Sequence, residues 1–475
     1  MAISFLLDGE TITIDHVDPT ATVLDYVRYT LRRTGTKEGC AEGDCGACTV
    51  LMGEADGTGG VAWRALNACI LFLPMLHGKA LLTVESLKRD GELNPLQQTM
   101  ADNGSSQCGF CTPGFVMSLQ GRAIGALGSA LPAADVIAGN LCRCTGYGPI
   151  LDAAEQVPTL PDETLPSAQA LAALAKEPAS GTWQGRQWFA PRTVEALVQL
   201  LADHPDARLV AGATDVGLWV TKALRQLETV IFLSDVAELR ELSETDEGLT
   251  IGAGVRWAEA HEAMARLHPD LGELVRRFAA LQIRSAATVG GNIANGSPIG
   301  DGPPALIALG ATLTLRSQEG ARSMPLEDFF LDYGKQDRHP GEFVESIFVP
   351  RPGPDAAIHM SKLSRRLDSD ISAVCGAIAL AVRDGTITTA RIAFGGMAAT
   401  PKRATHCEAA LSGAPFSAET FEAAAQALSE DFDPLTDVRG SRAYRLEAAS
   451  NVLRRMWLAQ QGTAISVLDC EAIHG

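Results

Sequence analysis

Residues 39–48 read GCAEGDCGAC and place Cys40, Cys45 and Cys48 on one short loop, with Cys69 following in NACI (67–70). A C-x4-C-x2-C loop with a distant fourth cysteine is the ligand spacing of a plant-type [2Fe–2S] cluster. Three thiolates can surround one cluster only if the backbone between them curls, and Gly39, Gly43 and Gly46 give it that freedom.

A second set of four thiols lies in SQCGFC (106–111) and NLCRC (140–144): Cys108, Cys111, Cys142 and Cys144. By spacing alone, zinc held by four thiolates competes with a second cluster. Context favours the cluster. Thr112-Pro113 reads as an N-cap and first-turn pair opening a helix over GFVMSLQGRAIGAL, and GYGPILDAAEQV after the CRC also reads as helical. Both pairs then lie near helix N-termini, where the macrodipole favours thiolate and a net-negative group. Cys375, Cys407 and Cys470 have no partner pattern and read as buried free thiols.

The chain has 475 residues, enough for three or four domains at about 150 residues each. With 57 acidic against 39 basic residues its formal charge is −18, a field that repels nucleic acid. The N-terminus MAISFLLDGE lacks the positive region of a signal peptide, and no run reaches the ~18 to 20 apolar residues of a membrane span. The expectation is a cytoplasmic, reducing location, where patterned cysteines are metal ligands and not disulfides.

SFLLDGETITID (4–15) alternates around Asp8-Gly9 as a hairpin does, and VLDYVRYTLRR (23–33) has helical spacing. With the cysteine loop and further strands this predicts a small α+β domain over 1–84, then a helical domain over 85–157 where strand signals vanish. Residues 158–181 form a Pro- and Ala-rich linker, with a short helix at SAQALAALAK. From 182 to 350, strands at RLVAG, LTIGAGV and ATLTLRS alternate with helices at VEALVQLLADH and AEAHEAMARLH, which predicts a mixed α/β domain. Residues 351–475, with a hairpin at Asp384-Gly385 and a helical YRLEAASNVLRRMWLAQQ, read as a separate lobe.

Two glycine-bearing loops in the third domain, LVAGATDVG (209–217) and TVGGNIANGSPIGD (288–301), read as phosphate cradles. Each is expected to follow a strand, so that backbone N–H groups reach an anion with no Cβ in the way. Clusters pass single electrons and need an acceptor that pairs them, which is flavin chemistry.

In GTKEGCAEGDCGACTV, NACI, SQCGFCTPGFVMS, GNLCRCTGYGPIL, LVAGATDVG and TVGGNIANGSPIGD, and in their order, the chain resembles the iron–sulfur/flavin subunits of bacterial xanthine dehydrogenases, within the molybdenum hydroxylases. The resemblance implies a multidomain α+β fold: a β-grasp [2Fe–2S] domain, a four-helix [2Fe–2S] domain, and an FAD domain of the vanillyl-alcohol oxidase type with a CO dehydrogenase flavoprotein-like lobe. It assigns the first cluster to Cys40, Cys45, Cys48 and Cys69, and the second to Cys108, Cys111, Cys142 and Cys144. FAD contacts carried over are Leu209, Val210, Ala211, Gly212, Ala213, Thr214, Asp215, Val216, Phe278, Thr288, Val289, Gly290, Gly291, Asn292, Asp301, Val344 and Lys362. Phe278 corresponds to an aromatic that stacks on the flavin, and Tyr333 to a tyrosine where nicotinamide enters. KLSRRLDSDIS (362–372) resembles the loop that selects NAD+ or oxygen, with its acids spaced differently.

The implied electron path runs from molybdenum to the helical-domain cluster, the ferredoxin-like cluster, FAD and NAD+. No molybdopterin region follows the FAD domain, so a large partner subunit carrying the molybdenum cofactor is expected, two of each chain forming a heterotetramer. The substrate, xanthine or hypoxanthine by resemblance, is set in that partner and not in this chain. Competing readings are the equivalent subunit of an aldehyde or N-heterocycle hydroxylase, a flavin oxidase using oxygen, and a colourless zinc scaffold.

Overall fold

The computed structural model describes residues 2–157, 159–160 and 165–463; Cys470 lies outside them. Two compact units divide the chain. The first is Met1–Leu239 with Arg256–Glu259 and Ala279–Thr288; the second comprises Arg240–Val255, Ala260–Phe278 and Val289–Gly475.

In the first unit, β1 (Ile3–Leu7) and β2 (Glu10–Ile14) pair as an antiparallel hairpin. Asp8 and Gly9 turn it at φ 54° and 81°, the two left-handed residues that a tight hairpin of matching twist requires. β3 (Thr49–Ala55), β4 (Val61–Asn67) and β5 (Ala80–Leu82) complete a sheet of order β2-β1-β5-β3-β4. β5 lies parallel to β1, so the first and last strands meet at the centre, as in a β-grasp. The helical reading of residues 23–33 holds only in part. Val23–Asp25 is α-helical, Tyr26–Thr30 is a π-turn, and Arg32 at φ 59° ends the run.

Four helices follow: Pro95–Asp102, Thr112–Ala123, Ala133–Ile137 and Gly148–Gln156. The first is started by a capping box in which Asn94 Oδ1 accepts from Gln97 N–H at 2.8 Å. Thr112 is not the N-cap of the second. Cys111 takes that place, because its carbonyl already accepts from Gly114 and Phe115; Thr112 instead pairs its hydroxyl with Ser106 at 2.8 Å. Phe115, Leu119, Ile150 and Ala153 pack with Leu51 and Trp63 of the sheet into one core.

Within 158–181 the expected short helix is present at Ala168–Leu174, and a strand already begins at Ala179. β6 (Ala179–Trp183), β7 (Arg186–Ala190), β8 (Arg208–Val210) and β9 (Thr229–Phe232) form a sheet of order β6-β7-β9-β8, with β7 and β8 parallel to β9. Trp188 and Phe232 join Phe72 of the ferredoxin-like part in a continuous apolar cluster.

The second unit holds an antiparallel sheet of order β10-β11-β16-β12-β13, from β10 (Leu242–Glu244), β11 (Gly248–Gly252), β12 (Thr312–Ser317), β13 (Gly320–Pro325) and β16 (Phe343–Pro350). A small hairpin, β14 (Phe330–Asp332) and β15 (Lys335–Gln336), precedes β16. A four-stranded meander then runs through β17 (Ala356–Leu363), β18 (Val374–Arg383), β19 (Thr386–Gly395) and β20 (Lys402–Arg403). Helices Thr405–Leu411, Ala418–Asp431 and Arg442–Gln460 cover it through Phe421, Leu428, Val452 and Leu453.

Candidate redox centres

The first thiol set converges. Cys40 Sγ accepts from the backbone N–H of Asp44 and Cys45, each at 3.3 Å, and Asn67 Nδ2 donates to Cys48 Sγ at 3.8 Å. Donors aimed at sulfur favour thiolate. Hydrogen bonds from Cys45 and Cys69 pull the Cys40 thiol far below its ordinary value, and sharing that sulfur pushes those two up. Cys48 is lowered chiefly by Cys69. The loop has no room to spare: a Cβ on Gly39 would lie 2.7 Å from Cys45 Sγ. Four thiols that share hydrogen bonds, with backbone N–H groups and the Asn67 amide directed at sulfur, form a donor set whose chemistry fits an anionic cluster.

In the second set, burial pushes Cys111 up to about 12, reinforced by Cys142. Burial acts most strongly on Cys142 too, but hydrogen bonds with Thr145, Cys144 and Cys111 together outweigh it and lower that thiol; Thr145 Oγ1 and Cys142 Sγ are 3.2 Å apart. The exposed Cys144 is raised by its hydrogen bond with Cys108. Cys142 N–H donates to the Tyr147 hydroxyl at 3.0 Å, and the Tyr147 ring meets Phe115 edge to face. Both pairs lie near helix N-termini, as expected, with Cys111 itself at the N-cap of one helix in place of Thr112 and Cys144 a few residues before another.

The first glycine loop follows β8, as expected. Ala213 takes φ 59°, a left-handed state rare for a side-chain-bearing residue and concentrated at functional sites. Gly212 is demanded by chain packing, since a Cβ there would lie 1.9 Å from the Ala286 carbonyl. The helix after the loop, Val216–Thr221, leads straight to the cysteines. Thr221 Oγ1 donates to the Ala41 carbonyl at 2.8 Å, and Lys222 Nζ to the Cys40 carbonyl at 2.5 Å.

The second glycine segment differs from expectation, because it does not follow a strand. Val289–Asn295 is a helix, and Gly290 lies in its first turn, where a Cβ would be 2.4 Å from that of Ala253. The glycine therefore serves close backbone packing, with Val289 N–H donating to Val255 and Gly290 N–H to Ala253. Asn292 Oδ1 is buried with no hydrogen-bond partner among the described residues.

Asp301 and Lys362, single residues far apart in sequence, meet as an ion pair at 2.5 Å, with side chains only 5% and 2% exposed. Ser372 Oγ donates to the other Asp301 oxygen, and Lys362 Nζ also donates to the Asp370 carbonyl at 2.8 Å. Neither is a solvated surface charge. Val344 is buried on β16, Phe278 is half-buried at the C-cap of the Pro269–Arg277 helix, and Tyr333 is 71% exposed on the β14–β15 turn. Residues 362–367 line a cavity of about 870 Å³ together with Arg277 and His359. The Arg277 guanidinium holds this segment by donating to the carbonyls of Lys362 and Leu367.

Sequence reading passed over the buried charges Glu54, Arg64 and Arg256. Arg64 bonds Glu54 at 3.0 Å and the Ser285 carbonyl at 2.9 Å, and Arg256 bonds the same carboxylate. It also missed Ser118, Asn140 and Gln282, whose polar atoms meet in the core beside both cysteine loops. The only sequence signal for these was a polar residue amid apolar neighbours.

Four family models match in register with these elements: a 2Fe-2S iron–sulfur cluster binding domain over 5–73, a [2Fe-2S] binding domain over 83–155, the FAD binding domain in molybdopterin dehydrogenase over 183–352, and the CO dehydrogenase flavoprotein C-terminal domain over 359–460. The xanthine dehydrogenase of Emericella nidulans is 31% identical over 522 residues, covering 96% of this chain and 38% of that protein. That of Drosophila pseudoobscura pseudoobscura is 32% identical, covering 96% and 39%. The chain thus spans about two fifths of the length of these curated relatives. Among solved structures, a carbon monoxide dehydrogenase chain from Hydrogenophaga pseudoflava superposes with TM-score 0.54 at 30% identity, covering 56% of this chain and 94% of that one. A quinoline 2-oxidoreductase chain from Pseudomonas putida 86 gives 0.53 at 29%, covering 57% and 96%.

The chain belongs to the xanthine dehydrogenase type of molybdenum hydroxylases, as their iron–sulfur/FAD portion. Its cofactor-bearing parts are two [2Fe–2S] domains and one FAD domain. Among the described residues no helix is long and apolar enough to cross a membrane.

Proposed function

We propose that this chain carries electrons from a molybdenum-cofactor subunit that oxidises xanthine or hypoxanthine, through two [2Fe–2S] clusters to FAD and then to NAD+. Bound clusters pass one electron at a time, and FAD combines two for a hydride acceptor. The single observation that carries this reading is the tether between the first glycine loop and the first cysteine loop, where Thr221 and Lys222 hold the carbonyls of Ala41 and Cys40. A flavin cradle built onto a cluster loop serves electron transfer and has no use in a zinc scaffold.

In this reading Cys40, Cys45, Cys48 and Cys69 hold the cluster nearer FAD, and Cys108, Cys111, Cys142 and Cys144 the one nearer molybdenum. Leu209 to Val216, Phe278, Thr288 to Asn292, Asp301, Val344 and Lys362 surround FAD, with Phe278 against the ring and Tyr333 on the NAD+ side. Asp301 fixes the Lys362 ammonium so that its charge is held in place. Domain limits are 1–84, 85–157, 182–350 and 351–475, with two such chains joined to two molybdenum subunits in the cytoplasm. The likeness to carbon monoxide and quinoline enzymes favours, as second reading, another molybdenum hydroxylase substrate.

Anaerobic titration of the purified chain with NADH tests this. About four electron equivalents should enter, two for FAD and one per cluster. A coloured protein that NADH does not bleach would remove NAD+ from the scheme.

A further inference from the structure

Between the two thiol loops the backbone itself forms a bridge. Leu141 N–H, next to Cys142, donates to the carbonyl of Cys45 at 3.0 Å. Asn140 braces it from one side: its Nδ2 donates to the Gly46 carbonyl at 3.0 Å and to Thr49 Oγ1 at 3.2 Å. Its Oδ1 accepts from Ser118 Oγ at 2.7 Å and from Gln282 Nε2 at 2.9 Å, and Gln282 Nε2 also reaches Ser118 Oγ at 3.0 Å. Asn140, Ser118 and Gln282 are each 1% exposed.

The surrounding backbone admits no slack. A Cβ on Gly46 would lie 2.2 Å from the Gly139 carbonyl, one on Gly114 2.2 Å from the Gly46 carbonyl, and one on Gly139 2.2 Å from Gln282 Oε1. Three glycines thus bring two cysteine loops and a segment of the flavin-domain sequence into direct contact. Amide and hydroxyl groups buried this deeply give directional restraint that an apolar filling of the same shape would not.

We infer that Asn140, Gln282 and Ser118 are positioning residues that hold the Cys45–Leu141 bridge in register and so set the rate and magnetic coupling between the two cluster sites. The inference rests on both thiol sets holding clusters. Gln282, which belongs to the flavin-domain sequence, would then govern traffic between two clusters that it does not ligate.

The test uses the full chain, reduced with dithionite and studied by low-temperature electron paramagnetic resonance, with freeze-quenching after substoichiometric reductant to follow equilibration between clusters. Gln282→Leu should retain both signals and full iron while altering their mutual splitting and slowing equilibration severalfold. Ser118→Ala, which removes one donor with little change of volume, should do the same to a smaller extent and keeps the test open if the first variant folds poorly. Splitting and rate unchanged in an iron-replete variant would overturn the clamp alone. Fewer than two cluster signals in the unaltered chain would instead overturn the electron-transfer reading beneath it.

Discussion

At the scale of single residues, the Lys362–Asp301 pair is the most consequential feature that spacing gave no sign of. Both charges are out of water, and their mutual attraction offsets a desolvation cost that neither could bear alone. Lys362→Met leaves Asp301 buried with Ser372 as its remaining side-chain donor. Loss of about 3–5 kcal/mol in stability is expected, read from urea denaturation. Adding Asp301→Asn should restore much of that loss, since the uncompensated charge disappears; a double variant as weak as the single would contradict the pairing. Cys375 sits beside the same pair, 3.7 Å from the Asp301 carbonyl, and burial holds its thiol well above the usual range. It is a core thiol, as its lack of a sequence partner implied.

At the scale of elements, the second-unit sheet is pinned by charge across strands. Arg322 on β13 donates to both oxygens of Glu342, just before β16, at 2.7 and 2.8 Å. The guanidinium, followed by burial acting in the opposite sense, sets the Glu342 carboxyl below its ordinary value of 4.5. A carboxyl depressed in the folded state binds its proton more weakly than in the unfolded chain, so its contribution is complete above that ordinary value. It is lost as pH falls below 4.5 through the folded value. Arg322→Ala should therefore flatten this part of the acid-stability curve while leaving the neutral-pH slope alone; an unchanged acid limb would refute it. Elements whose signal was local were legible in sequence: the Asp8-Gly9 hairpin and the Ala168–Leu174 helix. The second glycine segment was not, because a glycine required by a neighbouring backbone looks in sequence like one required by a ligand.

At the scale of the whole molecule, the eight patterned thiols fall into two sets carried by separate modules of the first unit. The thiols of each set come from one module, although the Leu141–Cys45 hydrogen bond joins the two loops. Cys45→Ser is expected to abolish one of two [2Fe–2S] resonance signals, leave the second, and leave FAD absorbance. Persistence of both signals would show that Cys45 is not a ligand. The flavin-domain match over 183–352 runs through both compact units, which the sequence pattern alone presented as one continuous α/β stretch.

The spacing of the first four cysteines by itself pointed to an iron–sulfur cluster, and the ordered cysteine and glycine motifs together to the cofactor classes and the order of domains, because thiolate ligation and tight turns act over a few residues and leave a local mark. The tertiary structure alone decided which distant residues meet. Lys362 with Asp301, Arg64 with Ser285, and Gln282 with Asn140 are separated by 61 to 221 positions. Such pairings are set by how buried polar groups are matched once the chain is packed, and no periodicity along the sequence records that matching.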